Sequence, residues 1–321
     1  MVKKALYTPK HAEILKKFYK MKTPTLPDYG LLTILAAVWG SSFMFIKIAV
    51  ETIPALPMTS GRLGIAALVG LAVMFAMKQR LPSGLKTWGL MVIVAIFGNA
   101  LPFALISWGE EGVDSGLAAI LMAVMPLTTI LLVHFFTDDE KLNLWKMIGV
   151  VLGIVGVIVL MGPTKLVHLG DDIVRQVSIT FAAVCYGIAT LFVKKIKDVP
   201  QISMTAGILA LSALVMLPFG LLTASYVELT PSTVSLIAMV LLGVLHTAAA
   251  NLLAYSIVRR LGATFFAQLN FMVPLFGVLF AVLFLKETIS WNAGFALLII
   301  LLGVGIARYG ILKSLKQNDQ K

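Results

Sequence analysis

Charge is scarce in this chain, and acidic charge is scarcest. Of 321 residues only 13% are Asp, Glu, Lys or Arg, with 15 acidic against 26 basic. A soluble domain of ordinary composition is about a quarter charged, so a water-soluble globular protein is excluded. The one cysteine, Cys185, excludes a disulfide framework and a cysteine metal site. HExxH and GxSxG are absent, and with them two common hydrolase signatures. Every acidic residue falls in a loop, a terminus or the end of an apolar run. None is therefore expected at mid-membrane as a proton relay or strong cation site. That weighs against a carboxylate-centred, proton-coupled pump and leaves facilitated transport, exchange or coupling through histidine open.

What is abundant is apolar sequence. Hydrophobic residues make up 59% of the chain, and the mean hydropathy is +0.96. The apolar residues fall in ten runs, at about 30–50, 57–77, 88–108, 113–136, 145–162, 176–196, 203–223, 233–257, 262–285 and 291–311. Each is near the ~20 residues a helix needs to cross a bilayer. The alternation of a membrane β-barrel is missing, so the expected fold is all-α, with backbone groups satisfied inside each helix. The first run is too long for a signal-peptide core and has no cleavage site, so it is read as a span.

The chain also says the same thing twice. AAVWGSSFMFIK (Ala36 to Lys47) returns as AVCYGIATLFVK (Ala183 to Lys194), and PMTSGR (Pro57 to Arg62) as SMTAGI (Ser203 to Ile208). Pro126 returns as Pro274, and EKLNLW (Glu140 to Trp145) as ETISWN (Glu287 to Asn292). The offset stays at about 147 residues. A period that long means two homologous halves, a pattern of secondary transporters.

The net charge of +11 would raise the question of nucleic acid in a soluble protein. Here it has a topological cause, because basic residues collect on the cytoplasmic side of membranes. With ten spans and the basic N-terminus inside, only Lys165, Arg175 and Lys286 fall in outside loops. Five spans per half make the second half upside down relative to the first. Equivalent loops should then exchange charge, and GEEGVD after span 3 against VRRLGA after span 8 does so. TDDEK after span 4 is acidic yet inside, but acidic residues contribute little to orientation.

These features together resemble the drug/metabolite transporter superfamily, EamA type, over about residues 30–311. The motifs are Trp39 to Ser42 in span 1, Arg62 early in span 2, a central Pro126 and Pro274 in spans 4 and 9, and Glu140 and Glu287 at the hairpin ends. Ile208 departs from the pattern where an Arg would match Arg62. The resemblance implies a ten-helix bundle of two inverted five-helix repeats with both termini cytoplasmic, in the plasma or inner membrane. It implies a central cavity between the halves and transport of small metabolites, often export of amino acids or related compounds. The expected organisation is a basic segment (1–29), a first repeat (30–162), a loop (163–175), a second repeat (176–311) and a tail (312–321). Ile14, Leu15, Phe18 and Met21 share one helical face of the basic segment, with Lys16, Lys17 and Lys20 on the other. That reads as an interfacial helix on an anionic leaflet, with a disordered basic tail as the alternative.

Polar groups inside spans are functional candidates by default. The substrate-binding candidates are Trp39, Ser42, Asn99, Trp108, Tyr186, His246, Asn251, Tyr255, Gln268 and Asn270. Aromatic walls with a few amides and hydroxyls suit a small, polar-headed metabolite. The bland alternative is that Ser, Thr and Asn merely bridge helices, at about 0.6 kcal/mol each. Trp88, Trp108, Trp145 and Trp291 near span ends also read as interface anchors, and His134 as structural. Pro102, Pro126 and Pro274 are expected to free the carbonyls of Gly98, Met122 and Asn270, as kinks or gates. Arg62 needs a partner, and Glu51 is the expected one, with Lys47 as competitor. Gly149, Gly153, Gly156, Gly303 and Gly305 read as close-packing positions, and Met122, Met125 and Met272 as gap fillers rather than metal ligands. No cofactor, metal or oligomeric partner is assigned; the partners are a small-molecule substrate and the lipid bilayer. The alternatives to a transporter are an integral membrane enzyme acting on lipids, for which no catalytic constellation is found, and a facilitative channel, for which there is no filter or charged ring.

Overall fold

The structure is a computed structural model that describes residues 24–136, 143–161, 171–196, 198–226, 230–266 and 268–318. The N-terminal interfacial helix expected within 1–29 lies almost wholly outside the described residues, as do the TDDEK loop with Glu140 and most of the inter-repeat loop. Every regular element among the described residues is helical. Helix α1 is Leu26–Val50, α2 Ala55–Ala76, α5 Leu144–Met161, α6 Asp171–Val193, α7 Gln201–Tyr226, α9 Leu269–Leu285 and α10 Trp291–Asn318. Three helices are composite. α3 runs Leu85–Ala95, a π-helical segment Ile96–Ala100, then Leu101–Glu110. α4 is Ser115–Met122 followed by Met125–Phe136, and α8 is Thr233–Leu241, a π segment Leu242–Ala249, then Ala250–Phe266. Eight of these helices are long and apolar enough to cross a membrane, and two apolar helices, Leu144–Leu160 and Leu269–Leu285, are shorter.

α1 starts four residues before the expected position because Thr25, Pro27 and Asp28 form an N-terminal signature. The Thr25 hydroxyl and backbone N–H both donate to Asp28 Oδ2, at 2.7 and 2.9 Å, closing a capping box. The expected kink at Pro126 is a break instead. Residues 123–124 form a tight turn, with the Ala123 N–H on the Ile120 carbonyl at 3.1 Å, and Pro126 sits in the first turn of the next piece, where its missing donor does no harm. Pro274 stays inside a continuous α9.

Lipid offers no hydrophobic drive for helices to associate, so close backbone contact has to supply it. α5 and α10 meet at Gly149 and Gly303, where a Cβ on Gly149 would stand 2.5 Å from the Gly303 carbonyl oxygen. Gly40 of α1 lies against Phe276 and Gly277 of α9 in the same way. Gly305 does not fit the close-packing expectation, since its nearest neighbour is a Phe271 ring carbon 3.9 Å away. Met122, Met125 and Met272 fill gaps around the core, as expected.

Apolar clusters occupy both ends of the bundle. Ile46, Ala49, Ile53, Ile106, Val113 and Ile179 pack at the end where α1 finishes. Leu32, Leu35, Ala254, Ile257, Leu261 and Phe265 pack at the end where α1 begins.

Candidate functional site

A polar layer crosses the bundle between the two apolar clusters, and the π segments build it. A π segment holds one extra residue per turn, which leaves backbone carbonyls short of their usual donors and turns side chains to a new face. In α8 the side chains supply those donors. The Thr247 hydroxyl donates to the Leu242 carbonyl at 2.7 Å, and His246 Nδ1 lies 3.0 Å from the Leu241 carbonyl. A carbonyl only accepts, so Nδ1 carries the proton and Nε2 is left to accept. Ser41 Oγ of α1 stands 3.0 Å from that Nε2, and Phe45 covers the ring at 4.9 Å between centroids. In α3 the π segment precedes Pro102, whose ring has no N–H to give. Ser212 of α7 bonds the Ala95 carbonyl at 3.2 Å and accepts from Asn99 Nδ2 at 3.1 Å.

Arg62 of α2 joins this layer and does not pair with Glu51. Its Nε donates to Thr247 Oγ1 at 2.9 Å, and its guanidinium lies 3.8 Å over the Phe103 ring. The reason is geometric. Arg62 is seven residues inside α2, about 10 Å from its start at 1.5 Å per residue, whereas Glu51 is exposed in the turn after α1. Lys47 does not compete for Glu51 either. Its ammonium donates to the Glu110 and Val113 carbonyls at 2.9 and 3.0 Å, tying α1 to the turn between α3 and α4.

The other candidates divide. Trp39 is half-buried and meets Phe266 edge-on at 6.1 Å. Asn251, Gln268 and Asn270 are half-buried, and their side chains bond no other described residue. Tyr186 is half-buried beside Arg62, within electrostatic reach. Ser42 turns to its own helix, donating to the Trp39 carbonyl at 2.6 Å. Tyr255 lies on α8, and its side chain is outside the described residues. Trp108 is at the rim, 38% exposed, with Arg175 stacked 5.1 Å above it, so an anchoring position suits it better than the layer. Trp88 bonds the Pro82 carbonyl, Trp145 meets Tyr309, and Trp291 is exposed. Among the described residues no group of three or more His, Cys, Asp or Glu is placed to hold a metal.

Each end carries an ion pair. Arg260, near the end of α8, reaches Asp28 at the start of α1, 2.8 Å away. At the opposite end Arg175, at the start of α6, reaches Glu111 after α3 at 3.5 Å and bonds the Trp108 carbonyl at 2.8 Å. Glu111 also accepts from the Ala55 N–H that opens α2, at 2.9 Å. Glu287, after α9, accepts from the Ser115 N–H, the Ser115 hydroxyl and the Gly116 N–H at 2.8–2.9 Å. That carboxylate caps α4, where the helix dipole favours it.

Sequence reasoning missed Glu110. GEEGVD reads as a loop, but α3 continues to Glu110 and buries it completely. The available signal was spacing: Glu110 follows Ile106 and Ser107 at four and three residues, on their helical face, and both are buried. Thr247 and Ser212 were also missed as partners, because hydroxyls on apolar helices carry no sign of what they face.

Comparison with known proteins identifies the family. The profile of the EamA-like transporter family matches residues 29–162 and 176–309. The chain is 23% identical over 276 residues to the uncharacterized transporter YoaV of Bacillus subtilis, covering 86% of this chain and 94% of that protein. It is 26% identical over 297 residues to the "Probable amino-acid metabolite efflux pump" of Escherichia coli K12, covering 88% and 95%. Against the uncharacterized inner membrane transporter YedA of Escherichia coli K12 it is 29% identical over 136 residues, covering 42% of this chain and 44% of that one. A solved crystal structure superposes with a TM-score of 0.60 at 18% identity, over 88% of this chain and 96% of that one, which speaks to the fold alone. Two matched copies spanning most of the chain, on a bundle of apolar helices, make it a multi-pass membrane transporter of small molecules that belongs to the EamA-like transporter family, within the drug/metabolite transporter superfamily.

Proposed function

We propose that the protein exports amino acids or related compounds across the inner membrane by alternating access, through a path between two inverted five-helix halves. The observation that carries this reading is a polar layer lying between two ends, each shut by an apolar cluster and its own ion pair. A path that must never be open at both ends needs two separate closures.

The pairs themselves support the inversion. Asp28 and Arg175 stand at the repeat offset of about 147, and Glu111 and Arg260 stand within about two of it. Acid and base have exchanged halves, as they would if the second half were turned over. The Lys and Arg distribution supports a cytoplasmic Asp28 end with both termini inside, and an outer Glu111 end. Trp39, Asn251, Gln268 and Asn270 are the groups we assign to substrate, with Asn99, His246 and Arg62 shaping the layer. The name of the Escherichia coli efflux pump supports amino compounds as cargo.

The test begins with a thermal-shift screen of the purified protein against amino acids, nucleosides, sugars and amines. Counterflow of the best stabiliser in proteoliposomes follows. Asn270→Ala and Trp39→Ala are expected to abolish counterflow while elution and melting stay near wild type. Normal counterflow by both variants would remove the site assignment. Stabilisation by sugars alone would remove the amino-compound reading.

A further inference from the structure

Glu110 is fully buried, and neither of its carboxyl oxygens has a hydrogen-bond partner among the described residues. An ionised carboxylate without a partner in a low-dielectric interior costs several kcal/mol at the least. The nearby cations Lys47 and Arg62 lie within electrostatic reach of it but give their hydrogen bonds to other groups. Lys47 of α1 gives its ammonium to backbone carbonyls. Arg62 of α2 is held by Thr247 and Phe103, with Tyr186 of α6 beside it. Arg175 of α6 pairs with Glu111. Glu287, in the turn after α9, caps α4 and lies within electrostatic reach as a like charge. Asp114 before α4 is exposed.

We propose that Glu110 is a proton-binding site of the outer mouth, holding one proton as the neutral acid while that end is closed and releasing it to water when the end opens. The O–H bond of the acid breaks, the proton passes to water in the mouth, and the carboxylate left behind is hydrated with Lys47 in reach. Closure runs the same step backwards. Opening then follows external pH, by up to about tenfold per pH unit for a single linked proton. The site goes beyond the export reading and rests on it only in that this end opens.

Infrared spectroscopy of the full chain in lipid nanodiscs tests this without any substrate, so a failed transport assay leaves the test intact. At neutral pH the wild type is expected to show a protonated-carboxyl C=O band that shifts on ¹³C-glutamate labelling and disappears in Glu110→Gln. Glu111→Ala, which breaks the outer ion pair, is expected to raise acrylamide quenching of Trp108 and cut the band by at least half. If Glu110→Gln does not fold, the labelled wild-type band and its loss in Glu111→Ala still report. No label-sensitive band in the wild type overturns the proposal. So does a band that survives Glu110→Gln, or one unchanged in Glu111→Ala while quenching rises.

Discussion

Arg62 and Thr247 are 185 positions apart, yet one hydrogen bond joins them inside the bundle. Arg62 was legible as a residue needing a partner, since a buried guanidinium is rarely left alone. Its partner was not legible, because the nearest acid along the chain is not the nearest group in space. The structure answers with a neutral hydroxyl and an aromatic face rather than a carboxylate. Removing the hydroxyl tests this. Thr247→Val keeps the shape but leaves Arg62 Nε and the Leu242 carbonyl unsatisfied. It is expected to cost about 1–3 kcal/mol, seen as a lower Tm in detergent. An unchanged Tm would mean that water replaces the hydroxyl and the layer is already wet. The candidates Asn251, Gln268 and Asn270, read as polar groups in apolar runs, are half-buried. Ser42, chosen on the same ground, turned to its own helix. Composition cannot separate those outcomes, because a helix can satisfy a serine locally but a long amide only with difficulty.

At the scale of elements, hydropathy placed the helices well and their interruptions poorly. Apolar runs are legible because lipid imposes length and composition together. The π segments are legible only in part. Pro102 hints at the one in α3, while α8 carries no proline there and meets its carbonyls with Thr247 and His246. The glycines show the same split. Gly149 and Gly305 look alike in sequence, but a Cβ at the first would strike the Gly303 backbone and at the second would meet nothing closer than 3.9 Å. Gly149→Val is therefore expected to force α5 from α10 and cost at least about 1–3 kcal/mol. Gly305→Ala should be neutral or slightly stabilising, since alanine favours a helix over glycine. Melting curves of the two variants side by side check the contrast. Equal losses would mean that the α5–α10 contact is not set by backbone approach.

For the whole molecule, the charge pattern predicts opposite responses at the two ends. Arg260→Ala removes the Asp28 pair and should favour a state open on the cytoplasmic side. Arg175→Ala removes the Glu111 pair and should favour a state open outside. Membrane-impermeant thiol reagents, applied from either face to cysteines introduced at Leu32 or Ile53 in a Cys185→Ser background, read this directly. Arg260→Ala should raise labelling at position 32 from inside, and Arg175→Ala labelling at position 53 from outside. The same shift in both variants would contradict alternating closure. The exposed Arg260 and the half-buried Arg175 limit each pair's contribution to stability, so these variants should fold.

The sequence alone determined the class of molecule, the helices, the doubled plan and a short inventory of polar groups, because lipid penalises charge and unpaired backbone wherever they occur along a chain. Tertiary structure decided which of those groups meet. It buried Glu110, sent Arg62 to Thr247 rather than Glu51, and gave Lys47 to carbonyls. Pairing across a bundle depends on helix rotation and on one-residue shifts such as the π segments. Those are set by packing among residues more than a hundred positions apart, which no local pattern records.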